Sequence, residues 1–318
     1  MDRVVEQGIQ GVSALATTGE GSLTGGRPAP GGTDRRRRRS TAGWLLFPSL
    51  TLVLAGLILP LALMARTSVA HFDAASPDLV GFTLENYARF FGEPFYLMIL
   101  ARTLLVALSC TAICLVLGVP AAFVISRVES RTLKTALILA TIIPLLMGNA
   151  VRAAGWMVLL ADKGLINSAL LSAGLIAEPV RILYTGSAVV IGLIAVLLPF
   201  MVISLESVFE NIGTAYEEAA QTMGAPPWTA FFRVTLPLAM PGVFSGCLLC
   251  FVLAMNAYAT PVLIGGPSFQ MMAPKVFEQA IKVYNWPFAA TIALVLMAVT
   301  LVLSVASSLA LQKRYGVL

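Results

Sequence analysis

Six apolar runs that carry almost no charge constrain this chain more than any other feature. Trp44–Ala65 contains no Asp, Glu, Lys or Arg, and about 22 residues make roughly 33 Å of helix, enough to cross a bilayer. Phe95–Ser126 carries only Arg102, and Ala136–Ala161 carries only Arg152. Ala188–Leu205, Leu236–Ile264 and Pro287–Gln312 carry no charge. Pro60, Pro120, Pro144, Pro199 and Pro261 lie in or near these runs. Bundled membrane helices tolerate such residues because neighbouring helices satisfy the freed carbonyls. Composition agrees: 58% of the 318 residues are hydrophobic and 12% charged, whereas a soluble domain has about 25% charged residues to solvate its surface. A soluble enzyme, a coiled coil and a disordered chain are excluded. The expectation is an all-α integral membrane protein with six transmembrane helices.

Charge sets the orientation. Residues 1–40 are rich in Gly, Thr and Arg, include the run Arg35–Arg39, and cannot bury a core, so a disordered basic tail is expected there. It is too long, and its apolar run too late, for a cleaved signal peptide. Residues 41–318 are expected to form the membrane domain. Gly164–Ala177 is apolar but short, which suits a re-entrant or interfacial helix better than a span. Six spans with the tail inside place Arg3, Arg27, Arg35–Arg39, Arg127, Arg131, Lys134, Arg233, Lys313 and Arg314 in the cytoplasm. The outer side then holds only Arg66, Arg89, Arg102, Lys163, Arg181, Lys275 and Lys282. Both termini are therefore expected in the cytoplasm. A seventh span would turn the 206–235 segment and the C-terminal Lys-Arg outward, against the same rule.

Catalytic chemistry finds little support. Cys110, Cys114, Cys247 and Cys250 all lie in apolar runs, and the pair Cys247-x-x-Cys250 has no second pair or nearby His to complete a metal site. They read as small buried hydrophobes. The single histidine, His71, stands in an outer loop and reads as solvated. No G-x-x-x-x-G-K-[ST] signature occurs. The chain is not expected to be an enzyme, to hold a metal or cofactor, or to bind nucleic acid, since an arginine run beside a span sets orientation.

The longest hydrophilic inner loop, at about 206–237, contains Gly213-Thr-Ala-Tyr-Glu-Glu-Ala-Ala-Gln-Thr-Met-Gly224 followed by Ala-Pro-Pro-Trp-Thr-Ala-Phe-Phe-Arg-Val-Thr-Leu-Pro237. Thr214 with Glu217 three residues on reads as a capping box. Gly224 suits a left-handed stop, and Pro227 suits the first turn of a second short helix, on which Phe231 and Phe232 form an apolar patch. The bare pattern fits two readings equally: a helix–corner–helix element, or a loop whose Gly and Pro are turn punctuation.

The loop also resembles a known motif. Glu218-Ala219-Ala220-x3-Gly224-x9-Val234-x-Leu236-Pro237 is similar to the EAA loop of binding-protein-dependent (type I) ABC importer permeases, departing only at Val234, where Ile is usual. Asn86-Tyr87-x-Arg89-Phe90, Leu117-Gly118-Val119-Pro120-Ala121-Ala122, Val189-Val190-Ile191-Gly192-Leu193 with Leu198-Pro199-Phe200-Met201, and Asn285-Trp286-Pro287-Phe288 look like the spermidine/putrescine-type members. The resemblance covers about Trp44 to Lys313. It implies a permease fold in the bacterial inner membrane and no cofactor. It also implies docking to a pair of cytoplasmic ATPase subunits through Glu217, Glu218, Ala219, Ala220, Gly224, Val234, Leu236 and Pro237. The small residues allow close backbone approach, and an acid can meet a basic group on the ATPase. A second, non-identical permease and an extracytoplasmic solute-binding protein are implied partners, beside membrane lipid.

Intramembrane polar residues are costly and face a cavity or a partner. Asn149 and Arg152 share a helix face, with Trp156 one turn beyond, and Asn256 and Tyr258 lie in the fifth run near Pro261. These five are candidates for the translocation path. Arg152 fits equally a brace between helices. Gly242-x-x-x-Gly246 marks a close helix approach. The expected function is import of a small organic solute, with a polyamine first. An amino-acid-like, aminophosphonate or other small organic solute is the alternative, and an ion-coupled secondary transporter a more distant one, because no inverted repeat or intramembrane acid is visible.

Overall fold

The computed structural model describes residues 33–72 and 81–315, and side-chain environments over 47–72 and 81–310. Among the described residues there is no strand. Leu, Val, Ile and Ala dominate each long run, and in hydrocarbon a helix is the open-chain form that satisfies its own backbone groups. Six segments are long and apolar enough to cross a membrane: Phe47–Ser68, Pro94–Arg127, Asn149–Ser172, Gly186–Ile212, Pro227–Met255 and Trp286–Ala310.

Two units are distinguishable, residues 1–60 and 61–318. The described part of the first is helical from Thr33, so the Arg35–Arg39 run is not part of a structureless tail. Arginine is a good helix former and continues the turn that leads into the first span. Residues 1–32, where the rest of that tail was expected, lie outside the described residues.

The second unit is built around the second, fourth and fifth spans. Glycines set their spacing. A Cβ on Gly118 of the second span would stand 2.7 Å from Met201 Cγ of the fourth, and one on Gly246 of the fifth would stand 3.1 Å from Met201 Sδ. Met201 is fully buried between them. The Gly242-x-x-x-Gly246 stripe makes its close approach to the fourth span, against Val208, Met201 and Ser204, a partner its spacing did not name. Two hydroxyls inside the bundle are satisfied by their own helices, Thr103 Oγ1 donating to the Ile99 carbonyl at 2.8 Å and Thr300 Oγ1 to the Leu296 carbonyl at 2.8 Å. Cys110, Cys114 and Cys250 are buried thiols and Cys247 is half-buried.

The third span differs from expectation. Ala136–Ala161 is not one helix: Arg131–Leu146 ends at Met147, and a separate helix, Asn149–Leu160, starts after Gly148. Pro144 removes one backbone donor near the end of the first helix, and Met147 and Gly148 are extended, with ψ 137° and 141°. A turn over 161–164 then leads to the eight-residue helix Leu165–Ser172. By length and apolarity alone the crossing segment is Asn149–Ser172.

Two distant sequence pieces meet at one end of the bundle. Asn86 Nδ2 donates to the Ser68 and Ala70 carbonyls at 3.0 and 2.9 Å, and the Tyr87 and Ser68 hydroxyls lie 2.9 Å apart. The Arg89 guanidinium sits 4.7 Å over the Phe288 ring, whose own N–H donates to Asn285 Oδ1. Asn86-Tyr87-x-Arg89 and Asn285-x-x-Phe288 thereby fasten the end of the first helix to the start of the last. His71 is exposed, with Nδ1 3.4 Å from a Glu85 carboxylate oxygen.

Candidate coupling loop and transport path

The 206–237 loop contains a short helix, Ala215–Thr222. It ends in a Schellman turn: the Ala225 N–H donates to the Ala220 carbonyl at 3.1 Å and the Gly224 N–H to the Gln221 carbonyl at 2.8 Å, with Gly224 at φ +90°. The corner therefore forms where Gly224 and Pro226-Pro227 placed it. The second short helix is not separate. Pro227–Ala230 runs through a π turn at Phe231–Thr235 into Leu236–Met255. Pro237 lacks an N–H and its ring crowds the preceding turn. The wider π turn, in which the Leu236 N–H reaches the Phe231 carbonyl, absorbs it without a break. Nor do Phe231 and Phe232 form one patch: Phe231 is buried with its ring 4.6 Å from Phe123, and Phe232 is exposed.

The expected capping box is absent. Thr214 makes no side-chain cap, its backbone being helical (φ −93°, ψ −19°) rather than extended, and the Glu217 carboxylate, which would close the other half of the box, is taken up elsewhere. Arg127, at the C-terminal end of the second span, donates from Nη2 to Glu217 Oε1 at 2.5 Å and from Nε to Oε1 and Oε2 at 3.2 and 3.3 Å. The buried Thr235 hydroxyl donates to the same Oε1 at 2.9 Å. Arg127 also donates to the Phe209 and Gly213 carbonyls at 3.1 and 3.0 Å, and its guanidinium lies 5.3 Å from the Phe123 ring centroid. Glu217, grouped with the ATPase-facing residues by resemblance, points into the protein. Arg127 carried only topological meaning in the sequence, since no spacing links it to Glu217. Nearby, Lys134 Nζ meets Glu210 at 2.6 Å and Glu206 at 3.4 Å.

The opposite face of the short helix is open. Glu218 and Ala219 are exposed while Ala220 is buried. Met223 is 84% exposed, Trp228 75% and Tyr216 57%, and the Trp228 and Phe232 rings stack at 6.4 Å. Val234 and Leu236 are half-buried, and Pro237 is exposed. One acid beside a cluster of exposed aromatic and thioether side chains is a docking chemistry, because such surface is costly to leave in water.

The path candidates fall into two groups. Arg152 Nη2 donates to Asn149 Oδ1 at 3.0 Å and to the Met147 carbonyl at 3.2 Å, bracing the helix start after the Met147–Gly148 break. Arg152 Nε and Nη1 are shielded from solvent without a hydrogen-bond partner. Trp156 packs against a small core of Ala153, Leu160, Ala188 and Ile264. Asn256, whose amide donates to the Val252 carbonyl at 2.9 Å, instead lines an open cavity of about 440 Å³ with Val276, Leu296, Thr300 and Ser304. Tyr258 is 38% exposed and packs against Phe277, ring centroids 5.0 Å apart. Among the described residues no hydrogen bond joins the Arg152 group to Asn256 or Tyr258. Thr300 and Ser304, which share the cavity with Asn256, were not singled out in the sequence because lone hydroxyls in an apolar run give no signal.

Known proteins place this architecture. Residues 114–315 match the family described as "Binding-protein-dependent transport system inner membrane component". The chain is 36% identical over 241 residues to the spermidine/putrescine transport system permease protein PotB of Escherichia coli, covering 76% of this chain and 87% of that protein. It is 33% identical over 258 residues to the PotB protein of Haemophilus influenzae, covering 80% and 87%. The crystal structure of a bacterial ABC transporter that imports the acidic polysaccharide alginate shares the fold at TM-score 0.68 and 17% identity, over 88% of this chain and 99% of that one. With six apolar segments of membrane-crossing length among the described residues, this chain belongs to the binding-protein-dependent inner-membrane permeases and is a multi-pass permease of the type I ABC importer class.

Proposed function

We propose that this chain is one permease subunit of an ATP-driven importer that carries a polyamine of the spermidine or putrescine type into the cytoplasm. The Ala215–Thr222 helix and the exposed Glu218, Met223 and Trp228 beside it are the surface through which a cytoplasmic ATPase pair drives transport. Membership of the family, with a loop that exposes an acid among apolar side chains, carries this reading. The substrate class rests on the likeness to the PotB proteins. Both termini face the cytoplasm, a second and non-identical permease completes the channel, and a solute-binding protein docks on the outer loops. ATP closes the ATPase pair, the loop carries that closure to the spans, and access alternates from outside to inside. Hydrolysis belongs to the ATPase subunit, so this chain is not itself an enzyme.

The test is reconstitution of the chain with its ATPase, second permease and binding protein, in vesicles loaded with ATP. Uptake of labelled spermidine or putrescine that requires both ATP and the binding protein is expected. ATP-dependent uptake of another solute, with none of either polyamine, would overturn the substrate assignment.

A further inference from the structure

Resting on the reading of Ala215–Thr222 as the coupling helix, we infer that Arg127 is the positioning residue that makes this helix move as one body with the inner ends of the second, fourth and fifth spans. Two features of the loop make such a residue necessary. The helix is joined to the fourth span through Gly213, at φ +69°, and to the fifth through Gly224, at φ +90°. Both glycines are open to substitution sterically, with nothing within 4 Å of an added Cβ. Each covalent joint thus turns on one glycine at positive φ and a few backbone hydrogen bonds, with no side-chain packing at the glycine itself to carry a push into the bundle.

The side-chain clamp supplies that link. One carboxylate, Glu217, gathers Arg127 from the second span and Thr235 from the turn that opens the fifth. The same guanidinium fixes the Phe209 and Gly213 carbonyls at the end of the fourth. Arg127 and Glu217 side chains are only 16% and 12% exposed, and the Phe123, Phe209 and Phe231 rings pack together beneath them. A forked, charge-assisted contact in such a place is directional as well as strong. Adjacent glutamates thus divide the work. Glu218 faces outward to the ATPase, and Glu217 faces inward to the joint.

The experiment compares Arg127→Lys, Glu217→Gln, Thr235→Val and the double variant Arg127→Gln/Glu217→Gln in the complete importer, reading labelled polyamine imported per ATP hydrolysed and ATPase retained on purification. Arg127→Lys keeps the charge but not the fork, so import per ATP should fall about tenfold, the range in which coupling contacts act. Thr235→Val removes one hydroxyl and should lower the ratio about twofold to threefold. Glu217→Gln leaves a buried cation unpaired and should also reduce assembly. The double variant removes both charges, so its assembly should recover while its import per ATP stays low. That separation of assembly from coupling is the signature of a joint. Wild-type import per ATP in the assembled double variant and in Arg127→Lys would overturn the inference. If Glu218→Lys also leaves ATPase retention and import unchanged, the coupling-helix reading itself fails. If Glu218→Lys uncouples and the clamp variants do not, only the role of Arg127 fails.

Discussion

At Gly224 the chain turns with φ +90°, and a β-branched side chain there costs about 1–3 kcal/mol of backbone strain. No neighbour lies within 4 Å of an added Cβ, so the effect of Gly224→Val is conformational rather than steric. It should misplace the Ala215–Thr222 helix and lower both ATPase retention and transport, measured against Thr229→Ala at a position the motif leaves open. Glu218→Lys keeps the helix and reverses the exposed charge, so transport should fall while insertion in the membrane is normal. Arg152 is bonded within its own turn, to Met147 and Asn149. Arg152→Met should therefore lower the detergent melting temperature by a few degrees, as expected for loss of about 1 kcal/mol, with solute preference intact. A changed preference at unchanged stability would put the guanidinium in the path instead.

At the scale of elements, the third crossing and the contacts between spans are the features to test. Asp162 and Lys163 are exposed in the turn at 161–164, in the middle of the Asn149–Ser172 segment. Two charges at the bilayer centre would cost several kcal/mol. The crossing is therefore better made by Arg131–Leu146 and Asn149–Leu160 together, bent at Met147–Gly148, which leaves Leu165–Ser172 for the membrane interface. Cysteine at Lys163, in a background lacking the native cysteines, should react with an impermeant thiol reagent from outside. Protection of that cysteine would return the crossing to Asn149–Ser172. Between the second and fourth spans, Gly118→Ile should destabilise the bundle by about 1–3 kcal/mol through overpacking, since Met201 Cγ lies 2.7 Å from the added Cβ. Met201→Ala in the same chain should recover part of the lost melting temperature, as expected for residues in contact.

For the whole molecule, orientation is the property that charge counting predicts and accessibility measures. Cysteines at Arg131 and Glu218 should be protected from outside, and one at Lys282, which is exposed, should react. Lys275 is a poorer reporter than its outer-loop position suggests: it is buried, with Nζ 2.9 Å from Glu278 Oε1 and 5.3 Å from the Phe95 ring centroid. Asp73 lies outside the described residues. Outside labelling at Glu218 would reverse the orientation and remove the coupling role. The helical fold of the described residues, five of the six membrane-crossing segments and the Gly224 corner were legible because each depends on a short stretch of chain. Apolarity over about twenty residues decides a span, and a glycine followed by two prolines decides a corner. The joining of Pro227–Ala230 to the fifth span was not legible, because a π turn has no signature beyond the proline it accommodates. Least legible was the direction of two neighbouring glutamates. Glu217 turns inward because Arg127, 90 residues earlier, brings the only fork that contacts its carboxylate among the described residues. Glu218 turns outward because one helical step carries it about 100° away from that contact. Local chemistry determined what each segment could be. Side chains brought together from distant spans decided which of them is exposed for docking.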